Sequence, residues 1–208
     1  MKTKYIKNMV TFIFFFILFG STIKAESSSC KVLVVMSYEE TNPWCQEIKE
    51  GIDSILADYC EIKYFYMNTK RNIKGGPKKA KEAFPLYKKL QPDGVIAADD
   101  PVQSMFVVPY LKNKVKTPVM FNGVNAESDQ YGYPASNISG ILERSHTRES
   151  IAFAKQLIPS INTVGFIARD SLSGRSIQKQ VQNESDTYPA KLIDFKLVKT
   201  IKQALTVI

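Results

Sequence analysis

Histidine is almost missing from this chain: His146 is the only one in 208 residues. Triad chemistry needs a histidine between nucleophile and carboxylate, and no G-x-S-x-G run presents a nucleophilic serine. His146 beside Ser145, near an expected helix start, therefore reads as structural, and the chain reads as a non-enzyme. One histidine and three cysteines fall at no ligand spacing, so neither a metal site nor a cofactor is expected. Gly75 and Gly76 precede Lys78 without the G-x-x-x-x-G-K-[ST] spacing of a phosphate loop. A second long apolar run is also missing, so the body of the chain is expected to be soluble outside the cytoplasm.

The one strongly apolar run, Met9 to Gly20, follows Lys2, Lys4 and Lys7 and precedes a small-residue site ending at Ala25. Residues 1–25 therefore read as a secretory signal peptide, because about twelve apolar residues fall short of the roughly twenty needed to span a bilayer. Export to the periplasm or the extracellular space follows. A lipid-anchored form would use Cys30, but Ser27, Ser28 and Ser29 supply no leucine-type lipobox. Removing four lysines and no acids leaves 24 basic against 20 acidic residues, a net charge of +4. The basic residues gather between Lys63 and Lys89, which reads as a solvated lysine-rich helix face. No base-stacking motif accompanies them, so no nucleic-acid partner is expected.

Strand-like runs alternate with amphipathic segments: Val32 to Met36, Ile62 to Met67, Gly94 to Ala98, Pro118 to Asn122, Thr163 to Ala168 and Lys191 to Val198. That rhythm predicts an α/β fold. The first run is continuously apolar, as in a parallel strand covered by helices on both faces. A Rossmann-like lobe is expected over residues 30–137 and an incomplete second α/β lobe over residues 138–208, with the loop-like stretch Asn125 to Ile138 as the crossing between them. Cys30 and Cys60 open the first two strands, whose starts lie side by side if one crossover helix joins them. A Cys30–Cys60 disulfide is therefore predicted, leaving Cys45 free. Asn42 and Pro43 predict a helix start, followed by a buried stripe of Trp44, Ile48, Ile52, Ile55, Leu56 and Tyr59. Further helices are expected from Pro77, with Pro85 inside, and from Pro101.

Parallel strands put their carboxyl ends on one edge, where small molecules are held. The polar residues there are the candidate site: Ser37 and Tyr38 after the first strand, Asp99 and Asp100 after the third, and Asn122, Gly123 and Asn125 after the fourth. Ser171, Ser173 and Arg175 occupy the equivalent loop of the second lobe. A carboxylate suits an ammonium, Ser and Asn orient a carboxylate, and Arg175 suits an anion. Each has a plainer alternative: Asp100 as an N-cap, Trp44 as the first core residue of its helix rather than a stacking platform, Asn122-Gly123 as a turn, and Arg175 as a surface residue.

The segments SYEETNPW with Glu50-Gly51-Ile52, MNTKRN at Met67 to Asn72, PDGVIAADD at Pro92 to Asp100 and PVMFNGVN at Pro118 to Asn125 resemble the ABC transporter substrate-binding protein family with a type I periplasmic-binding fold. The resemblance covers most of Lys31 to Ser185. It implies two hinged lobes that close on a small solute, aromatic amino acids among the ligands of some relatives, and presentation to an ABC permease. It also implies that the loops at Ser37 and Tyr38, Asp99 and Asp100, Asn122 to Asn125, and Ser171 to Arg175 face the cleft. Asn68 stands where the family often has Asp. Family members run longer than this chain, so a truncation within the second lobe is the corresponding expectation. The leading expectation is a secreted or periplasmic solute-binding protein for a small polar or amino-acid-like ligand. The alternative is an extracytoplasmic sensing domain serving a signalling partner.

Overall fold

The computed structural model describes residues 30–207, and the expected signal peptide, residues 1–25, lies outside them. The first strand, β1 (Cys30–Met36), is followed by α1 (Pro43–Leu56), β2 (Cys60–Tyr66), α2 (Gly76–Leu90), β3 (Gly94–Ala98) and a short helical turn, α3 (Asp100–Val102). Then come β4 (Val119–Val124), β5 (Ile138–Leu142), α4 (Thr147–Leu157), β6 (Thr163–Arg169), α5 (Leu172–Glu184), β7 (Lys191–Val198) and α6 (Ile201–Leu205). Among the described residues no helix is long and apolar enough to cross a membrane.

Strands β1 to β5 form one parallel sheet in the order β2-β1-β3-β4-β5. Strand β1 is central, and its VLVVM run is buried on both faces because alternate side chains serve two cores. Leu33 and Val35 join Val95, Ala97, Val119 and Phe121 under α2 and the helix after β3. Val32, Val34 and Met36 face Ile48, Ile52 and Leu56 of α1. The Asn42 side chain caps α1 by accepting from Trp44 N at 3.1 Å, with Pro43 next to the cap. The expected apolar stripe is too wide, however: Ile55 and Tyr59 are exposed, at 68% and 75%. Helix α1 packs over β1 and β2 and reaches Ile96 and Ala98 of β3, and an apolar groove of about 540 Å³ runs beside it over β3, β4 and β5.

Cys30 and Cys60 are register partners at the starts of β1 and β2 and form the predicted disulfide. Its loop constrains the unfolded chain, worth about 3 to 4 kcal/mol. The Cys30 sulfur is thereby engaged, which removes the lipid attachment considered for it. Cys45 is free and buried.

Two sequence expectations need correction. The boundary drawn after Asn137 falls inside the first sheet, because Ile138–Leu142 pairs in parallel with β4 as its fifth strand. The segment before it stays on the first unit: Tyr133 is buried against Phe121, with ring centroids 5.3 Å apart, and donates its hydroxyl to Gln103 Oε1 at 2.9 Å. The helix opened by Pro101 widens into a π-helix over Gln103–Leu111, with Pro109 inside. Pro109 has no N–H to give to a normal helical bond, and Lys112 N reaches back to Val107 O at 2.9 Å.

The second unit is smaller. Strands β6 and β7 pair in parallel, with Phe166 stacked on Phe195 at 5.7 Å, and α5 connects them. Phe153, Leu157, Ile158 and Ile193 are exposed there.

Candidate functional site

In the first sheet β1 lies between β2 and β3, so the chain leaves β1 in one direction and β3 in the other. That reversal opens a crevice at the strands' carboxyl ends, the place where parallel sheets hold ligands. Ser37 and Asp99 stand at its two lips.

Ser37 is fully buried and knits the crevice together. Its hydroxyl donates to Ala98 O at 2.8 Å and accepts from Val102 N at 3.1 Å. Its carbonyl accepts from Thr69 Oγ1 at 2.7 Å and Thr69 N at 2.9 Å. Both polar groups are engaged within the protein, so Ser37 belongs to the framework rather than the cleft wall.

Tyr38 is the wall residue. Its ring lies 5.6 Å from that of Trp44 and carries Lys70 Nζ 4.5 Å above its face. Asp99 and, from the second unit, Ser173 are its polar neighbours. Burial, and then the Asp99 charge beside it, holds the phenol well above its usual range.

Asp99 adopts a positive φ of 76° and is only 2% exposed. With ψ 167° this backbone lies in a region otherwise left almost wholly to glycine, so Asp99 is strained. Its Oδ1 accepts from Asp100 N at 2.8 Å, while Oδ2 is buried without a hydrogen-bond partner. Desolvation lifts its carboxyl to about 6, against the opposing pull of Tyr38, the Asp100 N–H and Lys70. The buried Asn122 Oδ1, on the neighbouring strand end, also lacks a partner.

Asp100 is placed differently from a ligand contact. It is fully buried, and its carboxylate accepts from Asn125 N at 3.1 Å, Ala126 N at 3.2 Å and the Tyr131 hydroxyl at 2.7 Å. It anchors the loop after β4. Near the end of β4, Gly123 has φ +65°, and a Cβ there would stand 2.5 Å from Trp44 Cζ2, so the indole packs flush against it. Asn125 donates from Nδ2 to Gly123 O at 3.2 Å and to Glu143 Oε2 at 3.0 Å.

From the second unit, Ser171 caps α5 by accepting from Gly174 N at 3.0 Å. Arg175 Nη1 lies 2.8 Å from Asp170 Oδ1, off the direction of a hydrogen bond but close enough for an ion pair. Lys199 Nζ reaches the other Asp170 oxygen at 4.0 Å.

Between the units lies a cleft of about 280 Å³. One side is Tyr38, Thr69, Lys70, Arg71, Ile73 and Pro101, and the other is the Arg169 to Ser173 turn with Arg175. The structure thus brings Tyr38, Ser171, Ser173 and Arg175 together on the cleft, with Asp99 behind Tyr38. Trp44, Asn122, Gly123 and Asn125 form a separate patch at the β4 end, and Ser37 and Asp100 lie beneath. Sequence reasoning missed Lys70, Arg71 and Arg169 as cleft residues. Lys70 and Arg71 sit in the basic run read as a solvated helix face, but they precede α2 and lie on the loop leaving β2.

No protein-family model and no curated protein matches the chain. Solved structures do. An ABC domain from Streptococcus pneumoniae in complex with L-Trp aligns with TM-score 0.57 and 16% identity, covering 84% of this chain and 59% of that one. The leucine binding protein LivK of Thermotoga maritima aligns with TM-score 0.58 and 12% identity, covering 86% and 52%. A solute binding protein of an ABC transporter from R. palustris, in complex with 4-hydroxybenzoate, gives 0.55 and 17%, covering 86% and 51%. The chain spans between half and three-fifths of these structures' lengths. The strand order, the crossing after β5 and these alignments together show that the described residues have the type I periplasmic-binding fold of ABC-transporter solute-binding proteins.

Proposed function

We propose that this chain binds a small polar organic solute between its two α/β units, as the exported solute-binding component of an ABC-type uptake system. The observation that carries this reading is the cleft itself: strand-end loops from two separate parallel sheets meet with Tyr38 on one side and Ser173 on the other. A cavity of about 150 Å³ holds benzene, so 280 Å³ has room for one ring or branched chain with its polar groups. Amino acids and aromatic acids, the ligand types held by two of the similar structures, are of that size.

Closure of one unit on the other would bury the solute under Tyr38, and the closed arrangement would be what an ABC permease partner recognises. Tyr38 offers a flat apolar wall, Ser171 and Ser173 offer hydroxyls, and no bond to the solute needs to be made or broken. Thermal shift and calorimetry of the chain against pools of amino acids, aromatic acids, nucleobases and sugars test this. A saturable response to one pool, lost in Tyr38→Ala, is expected, and silence across all pools overturns it.

A further inference from the structure

The cleft walls carry charge of mainly one sign. Lys70 and Arg71 come from the loop after β2, while Arg169 is the last residue of β6, so the cations reach the cleft from both units. Among the described residues none of the three has a side-chain ion pair. Asp170 is the one acid on the lining, and Arg175 and Lys199 already hold it. On the first unit, Glu39 accepts from the Arg71 backbone N–H at 2.9 Å rather than from its guanidinium, and Asp99 behind Tyr38 feels the Lys70 charge without forming an ion pair with it. Lys70 is positioned, since its ammonium rests over the Tyr38 ring.

Like charges drawn together across a narrow cleft repel, and the repulsion grows as water leaves. An anion between them reverses the sign of that interaction, and guanidinium groups bind carboxylates in a planar, two-point manner. The remaining lining, the Tyr38 ring with Ile73, Pro101 and Leu172, is apolar and suits a ring or aliphatic body. Taking the solute-binding reading as its basis, we propose that the solute is an organic carboxylate whose charge is the counter-ion of Lys70, Arg71 and Arg169, and that without it these cations hold the units apart.

Matched pairs test the charge requirement on the full chain by calorimetry: 4-hydroxybenzoate against 4-hydroxybenzamide, L-tryptophan against L-tryptophanamide and L-leucine against L-leucinamide, with inorganic phosphate alongside. The acid of the binding pair should win by about tenfold or more, and K70A/R169A should shrink that preference, with the acid losing more affinity than the amide. All three cations are exposed, so the substitutions leave the core untouched. Small-angle scattering without any solute supplies the second readout. The radius of gyration should fall when salt screens the cations and should already be smaller in K70A/R169A. Equal binding of acid and amide, or phosphate tighter than every carboxylate, overturns this inference while leaving solute binding intact. A radius indifferent to both salt and substitution also overturns it. Silence from every probe overturns the solute-binding reading and this inference with it.

Discussion

The Gln180 side chain on α5 holds Ser145 by both of its backbone groups, donating from Nε2 to the carbonyl at 3.0 Å and accepting the amide N–H on Oε1 at 3.2 Å. Ser145 lies on the strand-to-helix crossing between β5 and α4, so this side chain ties the connection between the units to the second unit. Gln180→Ala should cost about 1 to 3 kcal/mol, since it removes both hydrogen bonds to Ser145 and the one from Nε2 to Glu184 Oε1. Denaturant unfolding reads the loss, and amide exchange at Ser145 should accelerate. Unchanged exchange there would mean that the connection is held by other contacts.

Gly123 and Trp44 give a second test. A side chain at Gly123 meets the indole at 2.5 Å on a backbone with φ +65°, so Gly123→Ala combines overpacking with left-handed strain. A loss of about 2 to 4 kcal/mol is expected. Trp44 is the only tryptophan, so its emission should shift as the ring is displaced. Glycine at 123 with Trp44→Phe should keep most of the stability, because the smaller ring still fills the space.

How much of this was legible beforehand depended on the kind of signal. Continuous apolar runs such as VLVVM, the Asn42-Pro43 cap and the side-by-side starts of Cys30 and Cys60 are local patterns with one physical solution each, and they appear as expected. The sequence places strand β5, ISGIL, in the second lobe, because a five-residue run holding Ser and Gly has little strand character of its own to tie it to the first sheet. Its pairing with β4 creates the strand. The site divided in the same way. Strand ends located the loops, but which side chains turn inward is a tertiary matter: Ser37 and Asp100 bond to backbone brought from residues 61 to 65 and 25 to 26 positions away. Lys70 and Arg71 acquire their place only when Arg169 arrives from the other unit.

Cys45 and the disulfide separate two thiol environments. Reducing the Cys30–Cys60 bond should cost about 3 to 4 kcal/mol, read as a lower denaturation midpoint with reductant or in C30S/C60S. Cys45 should resist alkylation in the native chain, because it is 1% exposed and burial pushes its thiol up to about 11. In urea it should react at the rate of an ordinary thiol. Fast alkylation of the native protein would show that the α1 packing around Cys45 opens.

Asp99 should make the chain more stable in mild acid than at neutrality. Its carboxyl is raised from 3.8 to about 6, so the folded state binds this proton more tightly than the unfolded state. The contribution is fully present below the unfolded value and is lost as pH rises through about 6, amounting to about 3 kcal/mol at most. Asp99→Asn isolates it from other carboxylates. The amide oxygen can still accept from Asp100 N, and Asn has the same Cβ and shape as Asp, so the cap is kept and the backbone strain is the same in both proteins. Unfolding free energies of the two proteins, measured from about pH 4 to about pH 8, should run together in acid and separate with the variant more stable above about pH 6. Parallel curves across that range would mean that the buried Oδ2 keeps its charge at no cost, with Tyr38, the Asp100 N–H and Lys70 supplying as much stabilisation as desolvation removes.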